Sequence, residues 1–438
     1  LYLLGKEKKD VAVVGAALFA MFFGAGNLIF PSALGFHSGD NWLMCVLGFF
    51  MTGVGLPILG VIAVAKTNGS FDKLAGKVSP GFAKVLGTVI VLSIGPFLAI
   101  PRTGATVYEI GIKPIFENMV PLLVSVIFFS ITLLFALKPS GVIDKIGKYL
   151  TPLLLLIISI IVIKGVASPM GTPVDTGFTN PFSKGFGEGY QTMDALASIL
   201  FGGLVLVALG QKGYTDPKKQ VNMACHAGLI AGLGLMFVYG GLLYLGATGS
   251  DLFHADITKA DLLITITNTL FGPYGRTAMC IAVSAACLTT SIGLTAVVGN
   301  YFEKASKGKF SYRLVVVMTT IFSMVISVSG IENIVKFSIP LLVIAYPVVI
   351  VLIVLTIASK RISSNIYRGA VLGALFVSVF DALAYLKIDT GIAGKLIAKL
   401  PLHESDFSWV IPSMVCALLM ELFMRKTEKA PVGDGPGL

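Results

Sequence analysis

An apolar span runs from about Val11 to Phe36 and is interrupted at its centre by Gly24-Ala25-Gly26-Asn27. In hydrocarbon, backbone N–H and C=O groups must find partners inside the protein. Bare backbone at membrane depth therefore survives only where it is buried in protein or lines a cavity. Glycines permit close approach or unwinding there, and Asn27 adds a polar group where lipid offers no partner. Discontinuous helices of this kind build the substrate and ion sites of many secondary transporters. The feature points to a carrier rather than to membrane protein in general.

Composition supports the membrane setting. Hydrophobic residues make up 55% of the chain and charged ones 13%, with a mean hydropathy of +0.88. Soluble domains are nearer a quarter charged. A helix needs about 20 residues to cross the hydrocarbon core. On that basis we read about twelve spans, near 11–36, 42–65, 84–108, 119–137, 147–163, 187–210, 220–246, 275–300, 312–330, 337–358, 367–386 and 407–424. Of the 33 basic residues, 23 fall at the ends on the N-terminal side, nine at the opposite ends, and Arg102 within a span. Such an excess belongs on the cytoplasmic side, so both termini are expected there. The net charge of +10 then reflects topology, not nucleic-acid binding. The five cysteines lie in or beside apolar spans without a CxxC pair, and the four histidines are scattered. Neither disulfides nor a metal cluster is indicated. No obligate protein partner is evident, and the tail 425–438, polar and rich in Pro and Gly, is expected to be disordered.

A second interruption is expected in the sixth span, at Ser198 and the Gly202-Gly203 pair. It lies five spans after the first, in a span of opposite direction. That is the pattern of two inverted five-span repeats, here 10–165 and 187–358, followed by two extra helices over 366–424. The eighth span carries Thr289-Thr290 at its middle, level with Gly24. Threonine hydroxyls and carbonyls freed by an unwound helix are ligands that hard cations accept.

Long runs of the chain resemble the branched-chain amino acid:cation symporter family, bacterial carriers of leucine, isoleucine and valine. They include Phe23-Gly24-Ala25-Gly26-Asn27-Leu28-Ile29-Phe30-Pro31, Ile94-Gly95-Pro96-Phe97-Leu98-Ala99-Ile100-Pro101-Arg102-Thr103, Tyr190-Gln191-Thr192-Met193-Asp194-Ala195-Leu196-Ala197 and Cys287-Leu288-Thr289-Thr290-Ser291-Ile292-Gly293-Leu294. The resemblance covers about Val11 to Arg425. It implies an all-α integral membrane protein of the leucine-transporter fold, in the bacterial cytoplasmic membrane. Gly24-Ala25-Gly26-Asn27 and Ala286-Cys287-Leu288-Thr289-Thr290-Ser291-Ile292 also resemble the first and eighth helices of the sodium-coupled leucine transporter. By position, that likeness implies a sodium site of the Ala20, Phe23 and Ala286 carbonyls with the Thr289 and Thr290 hydroxyls. Asn27 matches a ligand of that relative's second sodium site.

An amino acid zwitterion must have both charges satisfied on leaving water. The helix N-terminus after the first break offers N–H groups to a carboxylate near Ala25 and Gly26. Carbonyls near Phe22, Phe23 and Ile199 to Phe201 are expected to take the ammonium. A side chain at Gly24 or Gly26 is expected to obstruct the approach. Phe97, Phe201 and Ile292 are candidate pocket walls. An apolar pocket discriminates single methylenes by only about 1–3 kcal/mol, so the three substrates are expected together. No cofactor is expected beyond sodium as coupling ion. Arg102 and Asp194, read as lying toward the outer side, are candidates for an outer gate. The runner-up reading is a proton-coupled carrier of the same fold, or a carrier of another small neutral amino acid. A channel lacks a visible filter motif, and an embedded enzyme lacks HExxH or paired aspartates.

Overall fold

The computed structural model describes residues 2–137, 142–254, 256–358 and 362–428. The expected disorder of the tail falls, beyond residue 428, outside the described residues. Among the described residues the chain is helices and their connections. In order these are α1 (Tyr2–Phe22), α2 (Ala25–Ser38), α3 (Trp42–Phe50), α4 (Leu56–Lys66), α5 (Phe71–Ala75), α6 (Pro80–Leu92), α7 (Ala99–Thr106), α8 (Pro121–Ala136) and α9 (Val142–Ala167). The second half comprises α10 (Pro181–Tyr190), α11 (Asp194–Gln211), α12 (Pro217–Thr248), α13 (Lys259–Ala305), α14 (Tyr312–Ser327), α15 (Ile331–Ala358), α16 (Ser364–Tyr385), α17 (Gly391–Ile397) and α18 (Val410–Glu428). Among the described residues, seven stretches are long and apolar enough to cross a membrane, and four shorter apolar helices accompany them. Large apolar side chains such as Leu134, Leu229, Leu233, Met318, Val325 and Leu418 face outward. Water would penalise such a belt; hydrocarbon does not.

Local chemistry sets the helix ends. Ser79 accepts from the Phe82 N–H with Pro80 at the first helical position. Asp216 accepts from the Lys218 and Lys219 N–H groups with Pro217 in the same place. Both are side-chain caps on a turn whose proline has no donor to lose. Between α6 and α7 the helix widens into a π-turn, Ser93–Phe97, where Pro96 lacks an N–H and Gly95 leaves helical geometry at φ −92°, ψ −123°. In α13, Gly272 (φ +61°) and Pro273 set a kink, so part of the expected 247–274 connection is helical.

The centre is built on close backbone contact. A Cβ on Gly35 of α2 would lie 1.8 Å from the Leu243 carbonyl oxygen of α12, and one on Gly246 of α12 would lie 1.9 Å from that of Ser32. Only glycine lets the two helices approach so closely. Helix α1 packs on α11 and α12, whereas α2 packs on α12, α13 and α10. The broken helix α1–α2 therefore runs opposite to α10–α11, with the two breaks side by side. Gly369 and Gly373 of α16 face carbonyls of α18, Cys416 and Pro412, so that small-residue stripe packs within one chain.

Candidate functional site

The first break is held open by Asn27. The Phe23 N–H still reaches the Phe19 carbonyl (2.8 Å), but the Gly24 N–H turns to Asn27 Oδ1 (3.0 Å). The Ala20 carbonyl, four residues back, is thereby deprived of its usual helical donor. Gly24 itself is extended (φ −123°, ψ −169°), a conformation open to any residue. Glycine is required instead by its neighbours. A Cβ on Gly24 would meet Thr290 at 3.3 Å, and one on Gly26 would meet Arg102 Nη2 at 2.6 Å and Phe30 at 3.0 Å.

The second break differs from expectation. Helix α11 continues unbroken through Gly202 and Gly203, and the interruption is Gln191-Thr192-Met193, with Met193 at φ +62°. The glycine pair serves packing: a Cβ on Gly202 would lie 2.8 Å from Val64 of α4. The real break is satisfied group by group. Arg102 Nη1 donates to the Gln191 carbonyl (2.7 Å), and Ser338 donates to the Gln191 side chain (3.1 Å). The Thr192 hydroxyl donates to the Gly189 carbonyl (2.9 Å) and accepts from the Asp194 N–H (3.3 Å).

This shift brings Asp194, the first residue of α11, beside the first break. Its Oδ2 accepts from Asn27 Nδ2 (2.7 Å) and from the Tyr239 hydroxyl of α12 (3.0 Å); Asn27 Nδ2 also contacts that hydroxyl. Asp194 is 3% exposed, Asn27 1% and Tyr239 0%. Arg102 is 3% exposed, stands over the Phe30 ring (5.1 Å), and its Nε has no partner. Among the described residues no ion pair joins Arg102 to Asp194 within 4.0 Å; the ion pairs are Lys212–Asp10, Lys219–Glu7 and Lys259–Glu188.

A small cavity of about 30 Å³ lies between the breaks. That is room for one or two water molecules, so admitting an amino acid requires its walls to separate. Its polar wall includes Gly24, Ala25, Asn27, Arg102, Asp194 and Thr290, and its apolar wall Phe22, Ile94, Phe201 and Leu294. On the same side of the molecule as the α2 C-terminus, a cavity of about 740 Å³ is lined in part by His37, Glu188, Gln191, Lys259, Asp381 and Trp409. Gln191 borders the large cavity and Arg102 the small one. Their hydrogen bond links the two linings.

The sequence model of the branched-chain amino acid transport protein family matches residues 7–427. The chain belongs to this family. It is 41% identical over 421 residues to the branched-chain amino acid permease BraB of Bacillus subtilis, covering 94% of each chain. To the branched-chain amino acid permease BrnQ of the same organism it is 35% identical over 431 residues, covering 95% of this chain and 98% of that one. Relatives of this kind are permeases and carriers, not enzymes. Among solved structures, MhsT in complex with L-phenylalanine superposes with a TM-score of 0.58 at 18% identity, covering 93% of this chain and 98% of that one. Mhp1, a nucleobase-cation-symport-1 family transporter in a closed conformation with bromovinylhydantoin bound, gives 0.62 at 15% identity, covering 96% and 92%. The fold of this family member is thus that of the leucine-transporter-like carriers.

Several expected site residues of this permease relative lie elsewhere. On α11, Asp194, Ala197 and Phe201 share the cavity face at helical spacing, which turns Ser198 and Gly202 toward α4. The Ser198 hydroxyl donates to the Ala195 carbonyl (2.6 Å) and packs against Gly60. On α13, Thr290 and Leu294 line the cavity four residues apart, and Ile292 between them is buried on another face. Phe97 is 42% exposed with its ring against Phe322. Phe23 is buried, and its carbonyl receives the Thr290 hydroxyl at 3.4 Å. Thr289 donates to the Ala286 (2.8 Å) and Ala285 (3.2 Å) carbonyls. The expected cation ligands on the first and eighth spans are therefore linked across the first break. Arg102 and Asp194 border the central cavity, not a site above it. Tyr239, Ile94 and Leu294 were not among the expected residues. Tyr239 carries no signal in an apolar span, whereas Ile94 and Leu294 lie in the quoted family runs.

Proposed function

We propose that this protein imports leucine, isoleucine and valine across the bacterial cytoplasmic membrane by alternating access, driven by sodium. The observation that carries this reading is the buried cavity where two antiparallel broken helices meet, one wall polar and the other apolar. Phe22 and Phe201, rings 5.6 Å apart, with Ile94 and Leu294 would receive a branched aliphatic side chain. The N–H groups of Ala25 and Gly26 at the start of α2 would face its carboxylate. Membership of the family and the names of the two Bacillus relatives support the substrate class.

Sodium would be held by the Ala20, Phe23 and Ala286 carbonyls with the Thr289 and Thr290 hydroxyls. It would supply charge that draws α1 to α13 and gains about 2.3 kcal/mol per 100 mV on moving inward. Asn27, whose oxygen takes the Gly24 N–H, serves the break rather than a second cation. The excess of basic residues on the N-terminal side supports cytoplasmic termini. We take 10–165 and 187–358 as the inverted repeats, with 366–424 added outside them.

One observation favours a second reading. Asp194, a titratable group, lies at the centre of the path, where a proton-coupled carrier needs one. Uptake of labelled leucine into liposomes, with sodium and proton gradients imposed separately, decides between them. Uptake driven by inward sodium and competed by isoleucine and valine, but not lysine or glutamate, is the expected result. Uptake driven only by protons removes sodium from the Thr289–Thr290 set. No uptake under either gradient overturns the substrate class.

A further inference from the structure

Two side chains of opposite formal charge, each about as buried as a side chain can be, border one cavity of about 30 Å³ without forming an ion pair. That is a costly arrangement in a membrane interior. Arg102 spends one hydrogen bond on the Gln191 carbonyl and leaves Nε without a partner, although a guanidinium has five donors. Its Nη2 stands where a Cβ of Gly26 would be, 2.6 Å away, beside the N-terminus of α2. Asp194 accepts from Asn27 and Tyr239 on one oxygen, Oδ2. Neither hydrogen bond brings a positive charge. Arg102 and Asp194 attract each other across the cavity without touching, so the cost of burying them is only partly offset, and a ligand that contacts both would offset more of it.

We propose that Arg102 and Asp194 are the two halves of a clamp for the α-amino acid group. Arg102, with the α2 N-terminus, takes the carboxylate, and Asp194 takes the ammonium. A zwitterion offers those two charges on neighbouring atoms, and its arrival leaves the net charge of the site unchanged. The clamp restricts substrates to free α-amino acids, while the apolar wall selects the side chain. It rests on the amino acid transport reading, and it replaces the outer-gate role expected for this pair. It also moves the ammonium from backbone carbonyls to a carboxylate.

The test is binding to the purified full-length protein in nanodiscs of leucine, leucinamide (carboxylate neutralised) and 2-hydroxy-4-methylpentanoate (ammonium replaced by hydroxyl). Sites built around a buried polar partner reject analogues lacking it by large factors. Asp194→Asn should therefore narrow the preference for leucine over the hydroxy acid about tenfold or more. It should leave the preference over leucinamide as in the unaltered protein. Arg102→Gln should do the reverse. A residue that merely holds the fold would move both preferences together or neither, and either result overturns the clamp. Should a variant bind nothing, a structure of the unaltered protein with leucine decides. Ammonium on Asp194 and carboxylate on Arg102 support the clamp, and ammonium on backbone carbonyls alone overturns it. Unaltered protein that binds no branched-chain amino acid overturns the transport reading, and the clamp with it.

Discussion

At the face that carries the N-terminus, α1 is tied down by charge. Asp10 receives Lys212 and Tyr214, both at 2.9 Å, and Glu7 pairs with Lys219. At the opposite face the helices part around a cavity of about 740 Å³, and the Arg102–Gln191 hydrogen bond joins a residue of its lining to one of the central cavity's. The two ends of one path are closed by different means. The N-terminal end of α1 is held by ion pairs to Lys212, just after α11, and to Lys219, in the first turn of α12, and such pairs cost little to break. The opposite half of the same helix, α2, is locked to α12 through Gly35 and Gly246. In the alternating-access cycle proposed above, α1 would move and α2 would stay, with the Phe23–Gly24 break as the hinge between them.

The locked half offers the largest effect. Gly35→Ala places a Cβ 1.8 Å from the Leu243 carbonyl oxygen, and backbone cannot yield as a side-chain tip can. We expect a loss of about 1–3 kcal/mol or more, read as a lower melting temperature of the purified protein together with lost uptake. The matching change on the other half, Gly15→Ala, meets the Ile230 Cβ at 2.9 Å and the Ala227 carbonyl oxygen at 3.0 Å on the same helix α12, a milder clash that should cost less in both readings. Equal effects at the two positions would remove the distinction between a fixed and a moving half.

The hinge comes next. Thr290→Val keeps the shape but deletes the hydroxyl that meets the Phe23 carbonyl at 3.4 Å, and Thr289→Ala deletes its neighbour. Each should raise the sodium concentration for half-maximal uptake about tenfold, the effect of losing one good ligand from a closed set. Uptake that keeps its original sodium dependence in both variants would take the cation away from α13.

How far the sequence foretold this contrast depends on the element. Gly24 to Asn27 is a break that sequence exposes, because an apolar run contains polar and flexible residues at one point. The second break was legible only as a residue run, not as a break. Gln191-Thr192-Met193 contains no glycine; its backbone is satisfied by Arg102 and the Thr192 hydroxyl, and the Gln191 side chain by Ser338, partners distant in sequence or ordinary in type. The more obvious signal, Gly202-Gly203, is a packing feature against α4. That displacement also misplaced Asp194 above the site. On α11 and α13 helical phase also mattered, as Ser198 and Ile292 lie one or two residues from the residues that line the cavity. Fixing phase needs the identity of the neighbouring helices, which only the assembled fold supplies. The same holds for Phe97, which an apolar span permits to face either lipid or core.

The latch at the N-terminal face carries the smallest and most specific effects. Replacing Glu7 by Gln and Asp10 by Asn removes both charges while keeping the side-chain volumes. Release of α1 should raise, by about two- to fivefold, the rate at which a cysteine placed at Met21 is alkylated in a cysteine-free background; Met21 lines the central cavity beside Phe22. The latch should also resist mild acid. Hydrogen bonds from Lys212 and Tyr214, with the charge of Lys212, hold the Asp10 carboxyl below its usual value of 3.8. A depressed carboxyl contributes to the closed arrangement above the ordinary carboxylate range, and that contribution is lost only as pH falls through the lowered value. The cysteine's intrinsic reactivity changes with pH, so the useful quantity is its alkylation rate relative to the same cysteine in the latch-free variant. That ratio should stay level from pH 7 to pH 5. A ratio that rises toward one across this interval would mean that acid opens the latch, and would assign the closure of this face to a group with a higher pKa than Asp10.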